Sequence, residues 1–173
     1  MDKFLFAGAN TPDGFVGYYD RLVDMYNLEK LYILKGGSGI GKSTFIRKFA
    51  DAFAQLDRDF FVCSGDPKSL DGVIIPDAKV GMIDGTHPHM VDPIYPGIID
   101  EIVNLGEFII PDNKIDKRTL ANLREQKARH YNDAFASLSA AREIHYKIEE
   151  LYKGAVDFEA IDEKLKQIIS KNM

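Results

Sequence analysis

Apolar and polar positions alternate in several distinct rhythms along the chain. Lys3-Phe4-Leu5-Phe6-Ala7 is a short apolar run and predicts an opening strand. Asn10-Thr11-Pro12-Asp13-Gly14 carries turn chemistry and a helix start, with a cap-type residue before a proline. Phe15, Tyr18/Tyr19, Leu22 and Met25/Tyr26 then recur at helical spacing, predicting a helix over 15–26. Leu31-Tyr32-Ile33-Leu34 is nearly continuous apolar sequence, as in a buried parallel strand. Over 43–55 the residues Phe45/Ile46, Phe49, Ala52 and Phe53 share one helical face. Further strands are predicted at 59–63 and 79–83, with a brief apolar segment at 72–75 closed by Pro76. Residues 86–96 read as a structured loop, 97–103 as a short helix and 108–110 as another strand.

The rhythm changes after Asn113. Residues 115–153 contain no proline or glycine, and Leu120, Leu123, Tyr131, Phe135, Leu138, Ile144, Ile148 and Leu151 recur at helical intervals. Gly154 breaks the pattern, and Asp157 can cap a last helix holding Ile161, Leu165 and Ile168/Ile169. The alternation of strand and helix before this point predicts an α/β class with a mostly parallel sheet. The chain therefore divides into a core over 1–112 and a helical hairpin or lid over 113–173, with no internal repeat.

Bulk composition narrows the setting. The 173 residues are 45% hydrophobic and 28% charged, the balance of a globular chain with a sizeable core. A net charge of -5 supplies no global positive field, which argues against nucleic acid or an anionic membrane as partner. One cysteine, Cys63, cannot form an internal disulfide. No stretch approaches the ~20 apolar residues of a membrane helix, and the N-terminus lacks a basic region ahead of its apolar run. The expectation is a soluble, cytoplasmic protein.

The sharpest signal is Gly36-Gly37-Ser38-Gly39-Ile40-Gly41-Lys42-Ser43-Thr44, which satisfies the Walker A pattern between a predicted strand and a predicted helix. Glycines let successive backbone N–H groups converge on phosphate oxygens, and the positive end of the following helix adds to the attraction. Lys42 would reach the β- and γ-phosphates, the Ser43 hydroxyl would ligate Mg²⁺, and Thr44 could contact the α-phosphate. The expectation is ATP with Mg²⁺ on a P-loop NTPase three-layer sandwich, with the C-terminal helical segment appended.

Such a loop needs an acidic partner for the metal at the end of a neighbouring strand, and Asp84 after Val80-Gly81-Met82-Ile83 is the candidate. The bland alternative is a turn aspartate before Gly85. A glutamate directly after the aspartate, common in recombinase-like, AAA+ and transporter ATPases, is absent, and no LSGGQ-like stretch occurs. Asn113-Lys114-Ile115-Asp116 matches the guanine-selective N-K-x-D pattern literally; its alternative is a polar turn opening the long helix. Without an accompanying D-x-x-G switch, ATP is preferred over GTP.

His87 and His89 flank Pro88 just beyond Asp84, where ligands of open α/β sheets bind. Either could act as general base, γ-phosphate sensor or metal ligand, or could bond to its own loop's backbone. Two histidines alone do not make a zinc site, and Cys63 is not at ligand spacing along the chain. Asp66, past the strand at 59–63, could meet an acceptor or cap the turn before Pro67, and Asp71 is a weaker version of the same idea. Arg118, Arg124, Arg129 and Arg142 could supply a cation over the phosphates, but interleaved Glu125, Asp133 and Glu143 favour a solvated helix face.

Phe6–Phe15 (F-A-G-A-N-T-P-D-G-F), the glycine loop, Ser69–Pro76 (S-L-D-G-V-I-I-P) and Asp84–Pro93 (D-G-T-H-P-H-M-V-D-P) together resemble a Firmicutes family of P-loop ATPases or nucleotide-kinase-like proteins. The resemblance spans residues 3–112, and D-G-T-H-P-H is its most specific part. It implies members with two P-loop halves, of which this chain is similar to one, and so pairing with a second half or a homo-oligomer. The readings that follow are Mg²⁺-dependent ATP hydrolysis or phosphoryl transfer to an unidentified acceptor, and, from a different class, a nucleotide-dependent switch or assembly module that engages a protein partner.

Overall fold

The computed structural model describes residues 1–110 and 116–172. In chain order it contains β1 (Asp2–Leu5), β2 (Gly8–Thr11), β3 (Gly14–Gly17), α1 (Leu22–Tyr26), β4 (Lys30–Lys35), α2 (Lys42–Asp51), β5 (Arg58–Val62), β6 (Leu70–Ile75), β7 (Val80–Asp84), β8 (Asp100–Asn104), α3 (Lys117–Lys153) and α4 (Phe158–Asn172). Six strands form one sheet in the order β1-β5-β6-β7-β4-β8, while β2 and β3 pair separately as a hairpin. The class is α/β with a mostly parallel sheet plus C-terminal helices. One strand departs from the rest: β6 runs antiparallel to both β5 and β7, whereas β1–β5, β4–β7 and β4–β8 are parallel pairs.

Strand periodicity sorts the core onto the two faces of this sheet. Leu31, Ile33, Phe61, Ile74 and Ile83 point to one face, where Tyr19, Leu22, Val23 and Val91 cover them. Leu34, Phe60, Val62, Val73, Ile75 and Met82 point to the other, against Ile46 and Ala50 of α2. Ile33, Leu34, Ile46, Val73, Ile74, Ile75 and Ile83 have no exposed surface, and each such side chain contributes about 1.5–3 kcal/mol by burial.

Three predicted elements take other forms. The helix expected over 15–26 is β3, then a 3-10 turn over Tyr19–Arg21, then the single-turn-plus α1. Gly14, with φ of 103°, closes a tight hairpin after Pro12-Asp13, and Thr11 Oγ1 donates to Gly14 O at 2.7 Å. That turn takes Phe15 and Val16 into an antiparallel ladder, and the helix starts only at Leu22. The helix expected over 97–103 is instead the edge strand β8, hydrogen-bonded to β4. The strand expected at 108–110 is not formed; a 3-10 turn over Leu105–Phe108 stands there, capped by Asn104 Oδ1 accepting from Gly106 N.

Helix α3 begins where Asp116 accepts from the N–H groups of Arg118 and Thr119, and ends at Gly154. Asp157 accepts from Ala160 N at the start of α4. Arg142 donates to both carboxylate oxygens of Asp13, at 2.7 and 3.1 Å, which ties α3 to the hairpin turn and holds the Asp13 carboxyl below its usual range. Between β2 and α3 lies an open groove of about 440 Å³, lined by Asn10, Tyr131, Ala134, Phe135, Ser137 and Leu138. Among the described residues no helix is long and apolar enough to cross a membrane.

Candidate functional site

The glycine loop connects buried β4 to the N-terminus of α2 and runs along the carboxyl end of the parallel strands. Gly36, Gly39 and Gly41 have φ of 148°, 84° and 93°, values that an L side chain strains to adopt. Gly37 is different. It needs no left-handed conformation, and a Cβ there would meet nothing within 4 Å. Neither conformation nor packing of this chain explains glycine at that position.

Lys42 opens α2 and is buried. Its ammonium donates to the carbonyls of Gly36 and Gly37, both at 3.0 Å, and lies 3.5 Å from Asp84 Oδ2. Asp84 is the last residue of β7 and pairs in register with Leu34, which brings its carboxylate beside the glycine loop. Its Oδ1 accepts from Thr86 N at 2.9 Å and Thr86 Oγ1 at 2.6 Å, so one oxygen is tethered and the other faces Lys42. Ser43 Oγ accepts from Leu70 N at 2.8 Å, joining α2 to β6. Thr44 and Ser38 are exposed, and Ile40 packs over Gly36.

The residue after Asp84 has a packing reason to be glycine. A Cβ at Gly85 would stand 2.4 Å from Ile33 Cγ2, a methyl inside the core. Glutamate therefore has no room at this position. Gly85→Ala is expected to cost about 1–3 kcal/mol through overpacking, read as a lower urea midpoint. Gly37→Ala serves as the control that leaves the midpoint unchanged. Equal midpoints for Gly85→Ala and the parent chain would remove this explanation.

Lys35, which the sequence reading did not single out, pins the loop after β7. Its Nζ donates to Gly85 O and Val91 O, each at 2.8 Å. A lysine ending an apolar strand reads as a solvent-facing residue, so no sequence signal marked it.

The two histidines separate in space. His87 is exposed. His89 is only 6% exposed and turns inward onto Asp71, itself 4% exposed, with Nε2 3.0 Å from Asp71 Oδ2. Tyr19 OH donates to the same oxygen at 3.1 Å. The rings of Phe15 and Tyr19 enclose the imidazole, with centroids 4.8 and 5.0 Å away. Burial alone would lower the His89 pKa, but the bond to Asp71, then the neighbouring Cys63, outweighs it and raises the pKa to about 9. Burial, then the Asp71 charge, raises the Tyr19 phenol.

The remaining sequence candidates are also placed. Both carboxylate oxygens of Asp66 serve its own turn, accepting from Lys68 N and Ser69 Oγ. Asn113, Lys114 and Ile115 lie outside the described residues, and the Asp116 carboxylate caps α3. Arg129 pairs with Glu125 one turn away on α3, and Arg142 with Asp13. The structure thus brings Lys42, Asp84 and the glycine loop together and puts Asp66 and His89 in other roles. No family model, curated protein or solved structure matches the chain.

Proposed function

We propose that the chain is a P-loop NTPase of the three-layer type that binds ATP with Mg²⁺ and hydrolyses it or transfers its γ-phosphoryl group to an acceptor. The observation that carries this reading is the buried Lys42 ammonium, held between the glycine-loop carbonyls and Asp84 at the head of α2. Its neutral carbonyl partners exchange readily for phosphate oxygens, which make stronger, charge-assisted bonds. The amides heading α2 supply further donors. Commitment of Asp116 to the α3 cap supports ATP over GTP.

The donor set fits magnesium. Ser43 offers a hydroxyl and Asp84 a carboxylate, hard oxygens of the kind Mg²⁺ takes alongside phosphate and water. When bound, Mg²⁺ neutralises charge on the β- and γ-phosphate oxygens. Asp84 is pre-oriented by Thr86, and Lys42 offsets its charge in a poorly solvated site. His87, on the loop after β7, is the exposed histidine that can orient water or an acceptor.

A second reading, a nucleotide-dependent switch or assembly module, is favoured by Leu120, Leu123, Ile144 and Ile148 of α3 and Ile161 and Leu165 of α4, all exposed. Single-turnover assays with γ-labelled ATP, run with and without a panel of small hydroxyl and phosphate acceptors, separate the readings. Mg²⁺-dependent ADP release supports catalysis, and tight binding with negligible turnover supports the switch. Asp84→Asn is expected to retain ATP binding in chelator and lose the gain that Mg²⁺ brings. If Mg²⁺ changes neither affinity nor turnover of the parent chain, the metal assignment to Ser43 and Asp84 fails.

A further inference from the structure

A second cluster of reactive side chains lies outside the glycine loop. Cys63 immediately follows β5, Asp71 lies within β6, and His89 sits on the loop after β7. Each offers a ligand atom, and these atoms all lie within 4.8 Å of one another. We propose that Cys63, Asp71 and His89 form a binding site for a zinc-type divalent transition-metal ion.

The chemistry of the three donors selects the ion. One sulfur, one imidazole nitrogen and one carboxylate oxygen suit borderline-soft Zn²⁺, whereas Mg²⁺ and Ca²⁺ take oxygen alone. Tetrahedral zinc places such atoms roughly 3.3–3.6 Å apart, so the cluster closes on an ion with side-chain movements of about 1 Å or less. His89 Nδ1 is buried without a hydrogen-bond partner, while Nε2 faces Asp71 at 3.0 Å. An ion at this cluster takes the place of the proton between Nε2 and Asp71, so that nitrogen and that carboxylate become its ligands together with the Cys63 sulfur. Tyr19 holds that carboxylate in turn, at 3.1 Å.

Charge and access point the same way. Asp71 is buried, and binding deprotonates the thiol, so the pocket gathers negative charge that a divalent cation neutralises. Phe15 and Tyr19 wall the imidazole from water, which strengthens the attraction. Cys63 is half-buried, leaving one side through which an ion enters. The ion displaces protons from Cys63 and His89, as metal binding to such ligands does. This site shares no residue with Lys42, Ser43 or Asp84, and the inference is independent of the nucleotide reading.

The test uses the full chain, stripped with chelator and titrated with Co²⁺ alone. Thiolate-to-cobalt charge-transfer absorption is expected to saturate at one ion per chain and to vanish when Zn²⁺ is added. Cys63→Ser and His89→Gln should each lose the band, and His145→Ala, an exposed histidine paired with Glu149, should keep it. Lys42→Ala should also keep it while losing nucleotide, which separates the two sites. Circular dichroism checks the fold of each variant. Should His89→Gln not fold, alkylation of Cys63 by iodoacetamide decides the matter in the parent chain, where Zn²⁺ is expected to slow it. No thiolate band at one equivalent of Co²⁺, together with alkylation indifferent to Zn²⁺, overturns the proposal, and so does a band that survives in folded Cys63→Ser.

Discussion

Lys42→Ala is expected to weaken ATP binding by roughly ten- to a hundredfold, because a bond from a charged donor contributes about 1.5–3 kcal/mol. That range is a floor if the ammonium serves two phosphates. Lys42→Arg should not restore affinity. The space between the carbonyls of Gly36 and Gly37 and the Asp84 carboxylate holds a compact ammonium, and a planar guanidinium has a different fork of donors. Calorimetric titration with ATP and Mg²⁺ reads the effect directly. Unchanged affinity in a folded Lys42→Ala chain would sink the nucleotide assignment.

Asp71→Ala is expected to cost about 3–5 kcal/mol of folding stability, since it strands a buried imidazolium without its partner. Both groups are more than nine-tenths buried, so solvent does little to soften the loss. The experiment belongs in chelator, where the proton and not a metal is the counter-charge. The sign of the pH dependence follows from His89, whose pKa rises from the ordinary 6.5 to about 9 on folding. The folded chain holds this proton more tightly than the unfolded one. The stabilisation is therefore complete below about pH 6.5, declines as pH climbs through about 9, and amounts to roughly 3 kcal/mol in all. Urea midpoints of the parent chain should fall over that window. Those of Asp71→Asn should start lower and fall less, because the amide no longer raises the histidine. Parallel pH profiles for the two chains would exclude the pair as their source.

Much of the candidate site around the glycine loop was legible because it is local. Leu31 to Leu34 announces a buried strand, the glycines follow directly, and Ile46 with Phe49 marks one face of the next helix. Asp84 was legible too, as the first acid after a short apolar run. The hairpin was not. Phe15, Tyr18, Leu22 and Met25 satisfy a helical period even though Gly14 has already turned the chain into a ladder. Strand β8 escaped because it is an edge, and its Glu101, Ile102 and Asn104 are exposed without the alternation of a half-buried strand. Most opaque was the meeting of Cys63, Asp71 and His89. They come from three separate elements, and only the strand order brings the ends of β5 and β7 around β6. Spacing along the chain carries no trace of that, which is why His89 read as a loop group beside the phosphates and Cys63 as an isolated thiol.

The reversed strand β6 has a consequence for how the molecule is wired. Parallel neighbours need a long crossover, but antiparallel ones need only a short return, so β5, β6 and β7 follow one another as a continuous meander. Their contacts span few intervening residues, and closing them costs little chain entropy. Cys63, Asp71 and Asp84 all ride on this stretch. Lys42 comes from a strand–helix unit earlier in the chain, and it meets Asp84 only once β4 has docked on the far side of β7. Asp84 and most of the thiol cluster thus belong to a locally connected piece of chain, while Lys42 reaches Asp84 across a long-range seam.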